Sequence, residues 1–289
     1  MVKCIRKKGE GMKEVITEAI IDSLKVLPFL FITFLLIEVF EHKFSNKSKK
    51  AVEKSGKLGP LIGSLLGIIP QCGFGVAATN LYVTRIISLG TLFAVYLSTS
   101  DEMLPLLIAQ NAPLSLMLKI LSIKFAFGLI IGYIIDLIIR NKDKPKYNIC
   151  EDEHCNCHES IILASIKHTL NIFAYIIIFT FLINIIMHYG GENVLAKILL
   201  KDNILASFVT SLIGLIPNCA GSVVLTELFL NNAISFGALI GGGLTAAGVA
   251  ILVLLKENKN KKENIKIILG LYLIGALGGI LVEIITRII

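Results

Sequence analysis

An apolar run cannot stay one continuous helix when a proline and two glycines interrupt its centre, and in this chain 59–83 carries Ile69-Pro70-Gln71-Cys72-Gly73-Phe74-Gly75. Pro70 removes a backbone donor, and the glycines add conformational freedom at the middle of the segment. The device returns in 204–231 as Ile216-Pro217-Asn218-Cys219-Ala220-Gly221-Ser222. Pro70 and Pro217 are 147 residues apart, and at that offset 64–140 aligns with 211–287 without a gap. SLLGIIPQC meets SLIGLIPNC, Gly90 meets Gly237, Gly128 and Gly132 meet Gly275 and Gly279, and Asp136 and Arg140 meet Glu283 and Arg287. Chance between two apolar sequences supplies Leu and Ile matches, but not Pro, Cys, Gly and charged residues in one register. The chain therefore reads as a duplication.

Apolar stretches run over 15–40, 59–83, 88–110, 118–140, 161–188, 204–231, 235–255 and 264–289, and about 20 apolar residues suffice to cross a bilayer. Hydrophobic residues make up 55% of the chain and charged ones 17%, with a mean hydropathy of +0.79, where a soluble domain carries roughly 25% charged residues. An integral membrane protein is expected, placed in the cell membrane. The net charge of +7 falls in short clusters between apolar runs and forms no basic face, which excludes nucleic acid as a partner. The basic start MVKCIRKKGEG resembles a signal n-region, but the apolar stretch after it is longer than an h-region and lacks a small-residue cleavage site, so it reads as a mature segment. Three breaks are expected, in 59–83, in 204–231, and in 88–110, where Ser98-Thr99-Ser100-Asp101-Glu102 precedes Pro105. Non-helical backbone at membrane depth survives only where protein or a water-filled cavity covers it.

The loops indicate how the halves are oriented, because cytoplasmic loops gather Lys and Arg. Loop 42–58 holds Lys43, Lys47, Lys49, Lys50, Lys54 and Lys57, while its counterpart 189–205 balances Lys197 and Lys201 with Glu192 and Asp202. The later connection reverses this: 109–117 is uncharged, whereas 256–264 contains Lys256, Lys259, Lys261 and Lys262. The expected fold is thus an all-α polytopic membrane protein, an inverted-topology repeat of about five helical segments per half and about ten in total. In it 59–83 and its counterpart form two re-entrant hairpins. The chain divides into a basic tail 1–12, a first membrane repeat 13–140, a Cys/His-rich linker 141–160 and a second membrane repeat 161–289. The linker is expected in the cytoplasm and both termini outside; the basic N-terminus argues the other way, so absolute orientation stays open, as does the oligomeric state.

Cys72 and Cys219 occupy equivalent hairpin tips, which inverted symmetry brings together near the bilayer midplane. Soft sulfur ligands favour Cu(I), Zn(II) and, by the same argument, trivalent arsenic. The alternative is that each is a small apolar core residue. Asp101 and Glu102 stand mid-segment, where a carboxylate costs at least about 2.5 kcal/mol on insertion scales, so they are candidates for cation ligation or proton coupling. Gln71 and Asn218 either contact substrate or satisfy backbone groups freed by the prolines. In the linker, Cys150, His154, Cys155, Cys157 and His158 fall within nine residues. They are candidates to capture Zn(II) or Cu(I), although their spacing is not that of a zinc finger, and a disordered polar linker is the alternative. No cofactor is required otherwise.

SLLGIIPQCGFGVAATNLY, ISLGTLFAVYLSTSDEMLPLLIA and GLIPNCAGSVVLTELF resemble the ten-helix heavy-metal exporter family, relatives of the arsenical permeases and of copper/zinc efflux transporters. The resemblance implies secondary export of a metal or metalloid. Carried over residue by residue, it places Pro70, Gln71, Cys72 and Gly73, then Ser98, Thr99, Ser100, Asp101 and Glu102, then Pro217, Asn218 and Cys219 along the substrate path. The second hairpin has Ala220-Gly221 where the first has Gly73-Phe74, so the two tips need not bind alike. No G-x-x-x-x-G-K-[ST] motif is present, and an ion gradient is the expected energy source, with Asp101 and Glu102 as coupling groups. A secondary transporter of a small organic anion is the alternative; it leaves the Cys/His linker unexplained. An intramembrane enzyme is not expected, because no second cluster of acids, His or nucleophilic Ser completes a site around Asp101 and Glu102.

Overall fold

The computed structural model describes residues 58–70, 72–100, 103–139, 206–218 and 220–288, with isolated helical positions between 21 and 35 and between 166 and 181. Helix is the regular structure these residues form, with no strand among them. The helices are α1 Gly59–Gly67, α2 Cys72–Val83, α3 Leu89–Ser98, α4 Met103–Ala109, α5 Leu114–Ile139, α6 Ala206–Gly214, α7 Ala220–Leu230, α8 Phe236–Thr245, α9 Ala250–Glu257 and α10 Lys261–Ile288. Shifted by 147 residues, α1 falls on α6 and α3 on α8 at both ends.

Among the described residues four stretches are long and apolar enough to cross a membrane: Leu89–Ala109, Leu114–Ile139, Phe236–Glu257 and Lys261–Ile288. Large apolar side chains on the long helices stand in the open, among them Ile130, Ile134, Leu137 and Ile138 on α5 and Leu269, Leu273, Leu277 and Leu281 on α10. The last four recur every fourth residue and so form one stripe along α10. Contiguous apolar surface of this extent has lipid rather than water as its solvent, and the protein is an integral membrane protein.

The buried centre belongs to α3 and α8. α3 lies between α1 and α5, α8 between α6 and α10, and α3 and α8 meet each other. The halves also interlock, since α2 packs on α9 and α7 on α4. Each central helix starts alike. Ser88 and Ser235 are N-caps whose hydroxyls accept from the N–H groups of Thr91 and Ala238. Asp136 of α5 accepts from the Gly90 N–H at 2.9 Å and from the Ser88 hydroxyl at 2.7 Å. Glu283 of α10 accepts from the Gly237 N–H at 3.0 Å and pairs with Arg287 at 3.0 Å. The carboxylates therefore satisfy first-turn donors of the central helices, where the helix dipole also favours negative charge.

Both central helices end halfway across their stretch. α3 stops at Thr99, whose ψ of 129° leaves the helical region. The hydroxyls of Ser98 and Thr99 donate to the carbonyls of Ala94 and Val95 at 2.7 Å each, satisfying acceptors in the last turn. α8 stops before Ala246, and Gly248 takes a φ of 54° before α9 begins. This break at 246–249 is additional to the three expected from sequence. It contains no proline: a left-handed glycine makes the turn, and the surrounding Thr and Ala residues are compatible with a helix.

Candidate functional site

The interruption of α3 faces that of α8 across one buried cation. Lys124 projects from α5 and is 1% exposed. Its Nζ donates to the Gly243 carbonyl at 2.8 Å and also to the Thr99 carbonyl. Gly243 lies in the last turn of α8 and Thr99 caps α3, so the ammonium sits where the C-terminal ends of two half-helices present partial negative charge. Gly243 leaves room for this arrangement: a Cβ there would lie 2.9 Å from Met103 Cε and 3.8 Å from Lys124 Nζ.

Hydroxyl groups surround the junction. Ser98, Thr99, Ser100 and Thr245 are buried. The Ser100 hydroxyl donates to the Ser98 carbonyl at 3.2 Å, and that of Thr245 to the Ser211 carbonyl at 2.8 Å. Their protons are committed to backbone carbonyls, which leaves oxygen lone pairs as the groups still available to a cation. Beside them Thr79 of α2 donates to the Gly75 carbonyl at 2.8 Å and shares a 2.6 Å hydrogen bond with buried Tyr96. Asn80 is buried, and its Nδ2 has no partner among the described residues. Such orphaned polar atoms are uncommon in interiors.

The segments around Pro70 and Pro217 are described in part. Pro70 is exposed, Gly73 is buried in the first turn of α2, and Pro217 and Asn218 follow α6, with Asn218 buried and its N–H bonded to the Ile216 carbonyl at 2.7 Å. Gln71, Asp101, Glu102 and Cys219 lie outside the described residues, and Cys72 is described by its backbone alone. Cys150, His154, Cys155, Cys157 and His158 also lie outside them, so no cysteine side chain enters the description. Among the described residues no three His, Cys, Asp or Glu side chains gather to hold a metal.

A second polar cluster joins the turn after α2 to α10. Arg85, at a left-handed φ of 60°, pairs both guanidinium nitrogens with Glu263 at 2.7 and 2.8 Å. The Tyr82 hydroxyl donates to the same carboxylate, and the guanidinium lies 5.1 Å from the Tyr82 ring centroid. The Glu263 hydrogen bond holds Arg85 above the usual guanidinium range. At the 147-residue offset the three positions are Phe229, Asn232 and Leu116, which cannot form the pair. The latch is one-sided.

Sequence reasoning passed over Lys124. Its signal was available: an ammonium well inside the 118–140 run, five residues beyond Lys119, costs about 2.5–3.5 kcal/mol on insertion scales and therefore asks for a reason. Its repeat partner is Leu271, so a search for matched polar residues does not find it.

Residues 11–188 match the family described as "Putative, 10TM heavy-metal exporter", well over half of the 289 residues. The chain belongs to this heavy-metal exporter family. Comparisons with curated proteins and with solved structures give no match. The matched stretch holds α1 and α2, the break after α3, Lys124 and residues 141–160, while Pro217, Asn218 and Cys219 lie beyond it. Membership assigns the protein to transport in general, with a metal as cargo and the bilayer as its medium. An exporter family is not a class of enzymes.

Proposed function

We propose that this member of the heavy-metal exporter family is a secondary transporter of the cell membrane that expels a soft metal cation or a trivalent arsenical at the expense of an ion gradient. The observation that carries the reading is the buried junction at which two membrane-length stretches break against each other around Lys124. Discontinuous helices are how transporters bury a polar site at the midplane. Asp101 and Glu102 follow the α3 break directly in sequence and are the proposed coupling carboxylates. Cys72 and Cys219 are the proposed soft ligands, one from each half.

The proposed architecture is an inverted repeat with two re-entrant hairpins. Its support is the coincidence of helix ends at the 147-residue offset together with opposite loop charge in the two halves. α1 and α2 have 9 and 12 residues, about 14 and 18 Å at the helical rise, and neither arm alone spans the roughly 30 Å hydrocarbon core. Single-cysteine labelling, after removal of the native cysteines, is expected to put Lys50 and Lys259 on one side and Asn111 and Lys197 on the other. Finding Lys50 and Lys197 together removes the inversion.

Function is tested by toxicity profiling in a host without its own exporters, across Zn, Cu, Cd, arsenite and methylated arsenicals. Protection against at least one soft species is expected. Cys72→Ser and Cys219→Ser should each raise the half-maximal concentration for it about tenfold or more, since even outer-sphere partners of a bound metal are worth about 10–100-fold. The double variant should cost less than the product of the two, because ligands of one ion act as a unit. Additive effects or wild-type affinity return the cysteines to packing roles. Protection against none of the metals, with uptake of an organic acid, favours the organic-anion alternative, to which a buried ammonium is also suited.

The Cys/His linker is proposed to concentrate Zn(II) or Cu(I) near the entrance, raising local cargo concentration without forming the path.

A further inference from the structure

Broken helices meeting in a membrane present backbone carbonyls that no longer bond within the helix. In transporters such carbonyls, with half-helix C-terminal ends, form the seat of a coupling alkali cation. Here the seat at the junction is assembled from both halves, the Thr99 carbonyl from the end of α3 and the Gly243 carbonyl from the last turn of α8. What lies between them is the Nζ of Lys124, carried on a third helix. We propose that Lys124 is a tethered cation that takes the place of a dissociable alkali ion, so that export requires no Na⁺ or K⁺ at the junction.

Three observations support this assignment. Lys124 is 1% exposed, so its charge is stabilised by the protein and not by water. The two acceptors belong to different halves, so the ammonium also holds α3 and α8 in register where each has lost its own hydrogen-bond ladder. The site is one-sided in sequence: Leu271 stands at the position equivalent to Lys124, and Tyr96 at the position equivalent to Gly243. Tyr96 is directed to Thr79 instead, and a side chain at position 243 would crowd Met103. Gly243 and Lys124 thus form a matched pair within a duplicated frame, with the glycine making room and the lysine supplying the charge. Lys124 acts as a positioning residue.

The inference rests on the transporter reading, and one arm of its test needs no cargo. Wild-type protein and Lys124→Ala are purified in choline chloride, and thermal stability is measured with added NaCl, KCl or n-propylammonium chloride. The last is the fragment the substitution removes. Wild type is expected to be indifferent to the exchange of cations. Lys124→Ala is expected to melt lower in choline and to regain stability with propylammonium or Na⁺, because the ion refills a seat of unpaired carbonyls. In vesicles, export of whichever metal the toxicity panel identifies should fall about tenfold or more in the variant in choline, and recover with the same ions. An unchanged melting temperature of Lys124→Ala across all salts overturns the proposal. So does several-fold loss of wild-type export when choline replaces Na⁺ and K⁺. Where the variant does not accumulate, the wild-type arm decides: cation-independent stability and export support the tethered cation, and dependence on Na⁺ or K⁺ overturns it. Failure of the metal panel with successful rescue of stability removes the cargo assignment and leaves the cation seat standing.

Discussion

Leucine at Gly132 or at Gly279 is expected to prevent the protein from accumulating in folded form. A Cβ at Gly132 would stand 2.8 Å from the Gly90 carbonyl oxygen, 2.9 Å from Ala94 Cβ and 3.0 Å from Pro60 Cβ. At Gly279 it would stand 2.7 Å from the Gly237 carbonyl oxygen and 2.8 Å from Gly241 Cα. Apart from Ser207 Oγ, also 2.8 Å from the Cβ at Gly279, these neighbours are backbone atoms or Cβ atoms fixed to the backbone and cannot rotate away. Close backbone approach at small residues is what holds helices together in lipid, where apolar association gains little from leaving water. The same helix pairs carry the carboxylate caps, so parting α5 from α3 also uncouples Asp136 from Gly90, and parting α10 from α8 uncouples Glu283 from Gly237. Overpacking costs about 1–3 kcal/mol for added methylenes in a core that can adjust, and more here. Total stabilities are only about 5–15 kcal/mol. Size-exclusion chromatography of a fluorescent fusion is the measurement, with Ile130→Ala on the open face of α5 as a control expected to run like wild type. A monodisperse peak and wild-type melting for Gly132→Leu would show that the helices do not meet at these glycines.

Asp101→Asn and Glu102→Gln are each expected to abolish net export while the protein remains inserted and folded. The described residues on either side, Ser100 and Met103, are 2% and 1% exposed, so the acidic pair is tied in sequence to the buried junction. The amides keep size and hydrogen-bonding capacity but cannot exchange a proton near neutral pH, so a coupling role fails while a packing role survives. Everted vesicles with an imposed pH gradient, loaded with the metal identified by the toxicity panel, provide the assay. Transport by both variants with wild-type pH dependence would mean that these carboxylates are structural and that coupling lies elsewhere.

The helix breaks at Pro70 and Pro217 and the α3 break were legible in the sequence because their causes are local. Pro70 and Pro217 each lack an N–H wherever they are placed, and the hydroxyls of Ser98 and Thr99 can reach carbonyls in their own turn. The break before α9 was not legible by the same signs, since Thr245-Ala246-Ala247-Gly248 reads as an acceptable if weak helix. Its position becomes visible in the repeat register, where it falls opposite Ser98 to Asp101.

From its sequence alone this chain is committed to the membrane, to helix, and to interruption at Pro70 and Pro217. Run length, hydropathy and the missing proline donor act on the backbone before any long-range contact forms. The tertiary structure alone decided which carbonyls and side chains come within reach of one another. That choice brought Lys124 to the ends of α3 and α8, gave Asp136 and Glu283 the starts of the same helices, and tied Arg85 to Glu263 across the two halves. A lysine in an apolar run carries no mark of its partners. Its burial becomes tolerable only when two helices from opposite halves end beside it, and that proximity is a property of packing.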